Sequence, residues 1–254
     1  MVRASVCMAT YNGERFLREQ LDSILEQLEP DDEVVVVDDA SHDGTTTVLE
    51  SLTDDRIRLF RHTSNAGYVL TFEEAMTRAT GDVLLLSDQD DVWLPGHRSE
   101  LVAAAGAAGV AAANLSLLDR PGFPGPYGQY DWTLRQADST RHWRNIGGVL
   151  AGNRPYYGCA MAVHRPLLDL VLPFPAWLYE SHDLWIAICA NTARHMAHVE
   201  DRTVARRLHD ANSSSPRPRT PPEVLRSRVL VGRMFVEALR RVRTAPRPTS
   251  PAPR

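Results

Sequence analysis

The chain has 254 residues, 43% of them hydrophobic, and a formal net charge of −4. That length supports one substantial core rather than two clear domains, and the acidic balance offers no general attraction to nucleic acid. Every basic side chain is arginine or histidine, because the sequence contains no lysine. A GxxxxGK[ST] phosphate loop, Schiff-base chemistry and a kinase-type strand lysine are thereby excluded.

No GxGxxG follows the first predicted strand, which argues against a dinucleotide dehydrogenase. Cys7, Cys159 and Cys189 are far apart in apolar surroundings, the pattern of reduced, buried thiols rather than a disulfide framework or a zinc site. The first residues carry no basic, cleavable leader, and no apolar run reaches the ~18 residues of a membrane span. The expected location is cytoplasmic.

Ser5–Ala9 is the first predicted strand, running into the turn Thr10-Tyr11-Asn12-Gly13. Phe16, Leu17, Leu21, Ile24, Leu25 and Leu28 then recur at helical spacing, and Pro30-Asp31-Asp32 stops that helix. Glu33–Val37 makes a valine-rich second strand ending in Asp38-Asp39. The turn Ser41-His42-Asp43-Gly44-Thr45 leads into another helix. Ile57–Phe60 is a third strand. Thr71 with Glu74 has capping-box spacing, which predicts a helix starting there and ending near Gly81. Val83–Leu86 is an unbroken apolar run, the pattern of a strand buried on both faces. This alternation predicts an α/β fold with a Rossmann-like, mainly parallel sheet flanked by helices.

The second half is less regular. Arg98–Ala108 reads as a helix, Val110–Ala113 as a short strand, and 120–157 as a long aperiodic excursion. Gly158–His164 reads as a strand, Ser181–Asn191 as a helix and Thr203–Leu208 as a short basic strand. Past Ser213, proline and arginine predict a linker and a disordered tail around a basic helix at Glu223–Arg243. The expected organisation is one domain over 1–214, divided into halves 1–95 and 96–214, followed by the extension 215–254. Leu225, Val229, Val236 and Leu239 lie along one side of the last helix. That side could dock on the domain, the preferred reading, or rest against an anionic membrane surface.

Chemistry is expected where the strands end, since ligands of open α/β sheets bind beyond the carboxyl edge. Asp38-Asp39 and the run Asp88 to Asp91 each follow an apolar strand. Crowded carboxylates call for a cation, and oxygen ligands alone select Mg²⁺ or Mn²⁺, which in turn grip a phosphate. Helix capping explains one cluster more easily than both.

The segments Met8-Ala9-Thr10-Tyr11-Asn12-Gly13, Val37-Asp38-Asp39-Ala40-Ser41-His42-Asp43-Gly44-Thr45 and Ser87-Asp88-Gln89-Asp90-Asp91-Val92-Trp93 together resemble the family 2 glycosyltransferases. These are inverting enzymes of the GT-A fold that use nucleotide-diphosphate sugars, and the similarity runs to about Ser214. The resemblance implies that Thr10, Tyr11 and Asp39 contact the nucleotide. It makes Asp88-Gln89-Asp90 the DxD signature, with Asp90 closest to the metal and Asp88 near the donor ribose or sugar. Tyr157-Gly158-Cys159-Ala160-Met161 resembles the segment bordering the donor sugar. His182-Asp183-Leu184-Trp185 resembles the catalytic-base motif, which assigns the base to Asp183. Arg207-Leu208-His209-Asp210-Ala211-Asn212 resembles the C-terminal histidine segment, in which His209 helps hold metal or diphosphate.

The implied partners are a nucleotide-diphosphate sugar and the hydroxyl of a glycan or lipid-linked acceptor, with no nucleic acid; contact at the inner membrane face would run through 223–243. DQDDVW with HDLW resembles the rhamnosyltransferase subgroup, making dTDP-rhamnose the leading donor and a UDP-hexose its competitor. Thr71 and Asn114 stand where relatives commonly carry Asn and Asp. Trp132, Trp143, Tyr156 and Tyr157 are candidates for a sugar-stacking wall. Two other classes compete: a sugar-nucleotide nucleotidyltransferase, which normally needs a basic Gly-rich loop after the first strand, and a non-catalytic nucleotide-sugar binding module.

Overall fold

The structure, a computed structural model, describes residues 2–120, 122–126, 128–209 and 220–244. The first half runs β1 (Ala4–Thr10), α1 (Leu17–Leu25), β2 (Glu33–Asp38), α2 (Thr45–Glu50), β3 (Ile57–Arg61), α3 (Tyr68–Arg78) and β4 (Val83–Ser87). Then come β5 (Val92–Trp93), α4 (His97–Ala108), β6 (Val110–Leu117), α5 (His142–Ala151), β7 (Met161–His164), α6 (Leu168–Val171), α7 (His182–Ala193), β8 (Met196–Arg206) and α8 (Pro221–Thr244). One sheet holds all eight strands in the order β3-β2-β1-β4-β7-β6-β8-β5.

The α/β expectation holds, and the sheet is mixed. The pairs β1–β2, β2–β3, β1–β4 and β6–β8 are parallel. Strand β7 runs antiparallel to both β4 and β6, and β5 antiparallel to β8. Thr10 pairs with Asp38, and Met8 with Ser87, so β1, β2 and β4 end along one edge. The reversed β7 starts at that edge, preceded by the 3₁₀ turn Gly158–Ala160, and β8 finishes there at Arg206. The sheet crosses the 95/96 division without a break.

Alternation along the strands explains why both faces are covered. Val34 and Val36 of β2, with Val83 and Leu85 of β4, pack under α1 and α4. Val35, Val37, Leu84 and Leu86 face the opposite layer, which holds α3, α7 and α8.

Three expectations change. The 120–157 excursion contains α5, whose buried Asn145, Ile146 and Val149 are interrupted by two glycines that obscure the helical period. Strand β8 starts at Met196, seven residues earlier than predicted, because exposed Glu200 and Asp201 break its apolar pattern. Thr71 is not a cap: α3 begins at Tyr68, and the Thr71 hydroxyl donates back to Gly67 O at 3.0 Å.

Helix α8 docks on α7 and α5, but not through the predicted side. Its buried residues are Leu230, Val231, Met234 and Ala238, while Leu225, Val229 and Val236 are exposed. Burying each large side chain contributes about 1.5–3 kcal/mol. Arg241 adds hydrogen bonds to the carbonyls of Leu170, Val171 and Pro173 at 3.2, 3.0 and 2.7 Å. Of the predicted linker 215–222, Pro221 and Pro222 instead open α8, while 215–219 and the tail at 245–254 lie outside the described residues, as do Asp210, Ala211 and Asn212 of the histidine segment.

Candidate active site

Two turns at the strand ends build the first wall. Thr10 is buried, and its Oγ1 donates to Asp38 Oδ1 at 3.2 Å. Asn12 and Ala40 take left-handed conformations, φ 49° and 60°, which turn the chain sharply after β1 and β2. The turns lock together. Asn12 N–H donates to Ser41 Oγ and His42 N–H to Asn12 Oδ1, both at 2.9 Å. Tyr11 is exposed; its N–H donates to Gln89 Oε1 at 2.9 Å, and Gln89 Nε2 donates to Tyr11 O at 3.0 Å. Gln89, read from sequence only as the middle of DxD, thus clamps the first turn to the acidic run.

Asp39 is buried and well supplied with donors. Its carboxylate accepts from Ala66 N–H at 2.7 Å and Gly67 N–H at 2.9 Å, and its Oδ1 meets His62 Nδ1 at 2.7 Å. The other ring nitrogen of His62 lies 2.8 Å from Glu74 Oε2. An ionised carboxylate accepts only, so an imidazole bridging two of them must donate from both nitrogens and carry a proton on each. The His62 pKa is raised accordingly: burial lowers it, but the hydrogen bonds and charges of Asp39 and Glu74 outweigh that. His62 was missed by sequence reasoning; nothing local marks it.

The acidic run after β4 is the opposite case. One ligand atom each from Asp88, Asp91 and Cys159 lies within 4.8 Å of the others. Burial first, then the neighbouring carboxylates, push Asp88 and Asp91 upward, and the Arg206 guanidinium opposes the rise. Asp91 Oδ1 accepts from Arg207 N–H at 3.0 Å, while its buried Oδ2 has no hydrogen-bond partner among the described residues. Asp90 pairs instead with His209, Oδ2 to Nε2 at 2.7 Å, and the His209 ring packs on Phe16 with centroids 4.8 Å apart.

A hard divalent cation fits this oxygen set. An orphaned carboxylate oxygen among acids driven toward protonation is the arrangement that such an ion relieves. Cys159 does not fit it as a ligand. Burial and the flanking acids hold its thiol protonated, and a neutral thiol is a poor partner for Mg²⁺ or Mn²⁺.

Asp183 closes the site from α7. Ser181, just before that helix, takes φ 61° and ψ 46°, uncommon for a residue with a Cβ, and its N–H donates to Tyr68 OH at 3.0 Å. His182 is buried, stacked on Phe72 at 4.4 Å, and burial pushes its pKa down to about 3, so the ring is neutral. Asp183 accepts from Leu184 N–H at 2.7 Å. Gly158 eases this approach: a Cβ there would stand 3.1 Å from His182 Nε2, a tight contact that the ring would have to yield to, and 3.7 Å from Asp183 Cβ, an ordinary one. Burial raises the Asp183 carboxyl to about 6, against the helix-start N–H groups and the Arg206 charge.

Arg206, at the end of β8, lies 5.2 Å from the Tyr157 ring centroid and acts electrostatically on Asp88, Asp91 and Asp183. It was missed as a site residue; its only sequence signal was a basic strand. Thr10, Tyr11, Asp39, Asp88, Asp90, Gly158, Cys159, Asp183 and His209 therefore share one edge of the sheet. Continuous contacts run through Gln89 and from Asp39 through the 66–68 segment to Ser181. The aromatic wall divides. Tyr156 is core, its OH 2.8 Å from His198 Nε2, and Trp143 packs edge-on to Phe235 of α8. Only Trp132 and Tyr157, with centroids 6.3 Å apart, meet beside the site.

Asn114, a departure from the family wording, has a structural role. Its Nδ2 donates to Leu134 O and Glu200 O at 3.0 and 2.8 Å, and its Oδ1 accepts from Leu134 N–H at 2.6 Å. An aspartate could not donate those bonds.

The chain is 34% identical over 105 residues to an uncharacterized glycosyltransferase of Nostoc sp., a match covering 40% of this chain and 32% of that protein. It is 30% identical over 90 residues to the UDP-Glc:alpha-D-GlcNAc-diphosphoundecaprenol beta-1,3-glucosyltransferase WfgD of Escherichia coli, covering 35% and 36%. The matches span about a third of the length of the first curated relatives. Among solved structures, S. aureus TarS 1–349 in complex with UDP superposes with a TM-score of 0.65 at 20% identity, covering 96% of this chain and 73% of that one. The mannosyltransferase PcManGT from Pyrobaculum calidifontis, in complex with GDP-Man and Mn²⁺, gives 0.58 at 19%, covering 95% and 73%. These likenesses establish the GT-A fold. The family description "Glycosyl transferase family 2" matches residues 5–166, from β1 past the end of β7. That is more than half of the sequence, and the chain belongs to this family.

Proposed function

We propose that the chain transfers a sugar from a nucleoside-diphosphate donor to a hydroxyl of a glycan or lipid-linked acceptor, with inversion at the anomeric carbon. The observation that carries this reading is Asp183, an acid with its pKa raised to about 6, set against Gly158 at the same edge as the Asp88–Asp91 cluster. Thr10, Tyr11 and Asp39 hold the nucleotide, Asp88 the ribose or sugar, and Gly158 and Cys159 border the sugar. Asp90 and His209, already 2.7 Å apart, would share a divalent metal, Mg²⁺ or Mn²⁺. The metal, when bound, offsets charge on the departing diphosphate.

Asp183 takes the acceptor's hydroxyl proton as that oxygen bonds to the anomeric carbon. The bond to the diphosphate breaks, and its electron pair leaves on the nucleotide. A carboxylate raised toward the working pH is a better base than an ordinary one near about 4. Of the two donor classes, a UDP-hexose is favoured by the UDP and UDP-GlcNAc held by TarS and by the donor in the WfgD name. dTDP-rhamnose rests on motif wording.

No described helix is long and apolar enough to cross a membrane. The exposed Leu225, Val229 and Val236, with Arg233 and Arg240 four residues beyond the two valines, support peripheral contact with an anionic cytoplasmic face. A melting panel of UDP-, dTDP- and GDP-sugars tests the function. A UDP-sugar is expected to raise the melting temperature only with Mn²⁺ present. No response to any nucleotide sugar, with or without metal, contradicts the reading.

A further inference from the structure

Beside the acceptor half of the sheet lies a cavity of about 480 Å³, lined by Trp132, Arg135, Arg144, Asn153 and Arg154 among others. That volume admits a sugar-sized ligand. Its charge is lopsided. The Asp131 carboxylate on its wall is already paired with Arg202 at 2.5 Å. Arg141, Arg144 and Arg154 all lean on the single carboxylate of Asp138, at 3.2, 3.5 and 3.4 Å, so three cations share one anion. Arg135 is exposed at the cavity wall.

The donors there are also under-used. Arg154 Nε is buried with no hydrogen-bond partner among the described residues. The Arg154 stem lies across Gly148 of α5, where a Cβ would meet Arg154 Cγ at 2.6 Å, so the glycine leaves the room this side chain occupies. Trp132 joins the cavity to the active site, because its ring packs edge-on to Tyr157, the residue before Gly158.

We propose that this cavity binds an oxyanion carried by the acceptor, a phosphate or a sugar carboxylate, through Arg144 and Arg154. Planar guanidinium groups match the geometry of both anions. Trp132 supplies the apolar face for the adjoining ring and sets that ring toward Asp183. The inference rests on the glycosyltransferase reading for the word acceptor, but the anion site is testable without turnover.

The full chain, labelled with ¹⁵N-arginine and freed of metal over a chelating resin so that no metal occupies the acidic cluster, is titrated with inorganic phosphate. Methyl β-glucuronide and the neutral methyl β-glucoside are titrated separately. The Nε–Hε signals of Arg144 and Arg154, assigned by substitution, are expected to move saturably with phosphate or glucuronide and not with the glucoside. The double variant R135Q/R144Q, both positions exposed, should weaken that binding about tenfold while the remaining arginine signals keep their dispersion. Response to phosphate alone identifies a phosphate-bearing acceptor, and response to glucuronide alone a uronate. Signals unmoved by either anion, or moved equally by chloride, overturn the proposal. UDP binding with Mn²⁺, measured on the same protein, separates the two claims: intact nucleotide binding with silent arginines sinks the anion site only, whereas absent nucleotide binding sinks the donor reading and leaves the anion result standing.

Discussion

Asp39 and the Asp88–Asp91 cluster sit at ends of parallel strands along one edge, yet their chemistry differs. Asp39 accepts two backbone N–H bonds and meets the His62 ring, itself tied to Glu74. Its charge is met by the protein. The Asp88–Asp91 cluster is crowded by its own acids, has Arg206 as an internal counter-charge, and leaves Asp91 Oδ2 without a hydrogen-bond partner among the described residues. Its charge is suppressed rather than met. A satisfied carboxylate keeps its shape and can offer one remaining lone pair to a base or ribose. An unsatisfied group of them is what the proposed function would complete with a cation and the diphosphate behind it.

The largest expected effect tests the catalytic end of that contrast. Asp183→Asn should lower turnover by about 10²–10⁴-fold with donor binding unchanged, measured as nucleotide release by purified protein. The unaltered protein should lose kcat/KM as pH falls through about 6, where Asp183 becomes protonated. Near-normal turnover by the Asn variant removes Asp183 from the role.

Next, Asp90→Ala should cost at least about tenfold in donor affinity with Mn²⁺ present and little without it, read by calorimetry. Equal affinity under both conditions would place the metal elsewhere.

The satisfied side gives a smaller, pH-dependent effect. The His62 pKa is raised above its ordinary value of 6.5. Its stabilisation is therefore complete below that value and lost as pH rises through the higher folded one. His62→Gln, which can donate to only one carboxylate at a time, should cost roughly 1–3 kcal/mol at pH 6 and progressively less in alkali. Parallel melting curves against pH for the two proteins would show that the bridge does not hold a proton. Smallest of all, Thr10→Val removes one donor from Asp38, which keeps the N–H and hydroxyl of Ser41 at 3.1 and 2.5 Å. About 0.5–1.5 kcal/mol is expected in urea denaturation. A larger loss would mean that Asp38 is less well satisfied than its geometry indicates.

Much of the edge was legible in the chain. Valine and leucine runs marked β2 and β4, because a strand buried on both faces needs apolar residues at consecutive positions. The acids directly after those runs had to emerge where the parallel strands end. Less legible were α5, whose period is broken by Gly147 and Gly148, and the docked face of α8. That helix carries apolar residues on opposite sides, and periodicity cannot say which side meets a partner.

The sequence by itself determined the local elements, since side-chain periodicity and turn chemistry act within a few residues, and it placed the acids at strand ends. Only the tertiary structure decided what those acids meet. The reversal of β7 brings Gly158 to Asp183, 25 positions away in the chain. His62 reaches Asp39 and Glu74, Arg206 reaches Asp88, and Arg154 is laid across Gly148, all through packing between elements. Whether a buried charge is satisfied or left for a ligand depends on neighbours that folding supplies, and no local pattern encodes them.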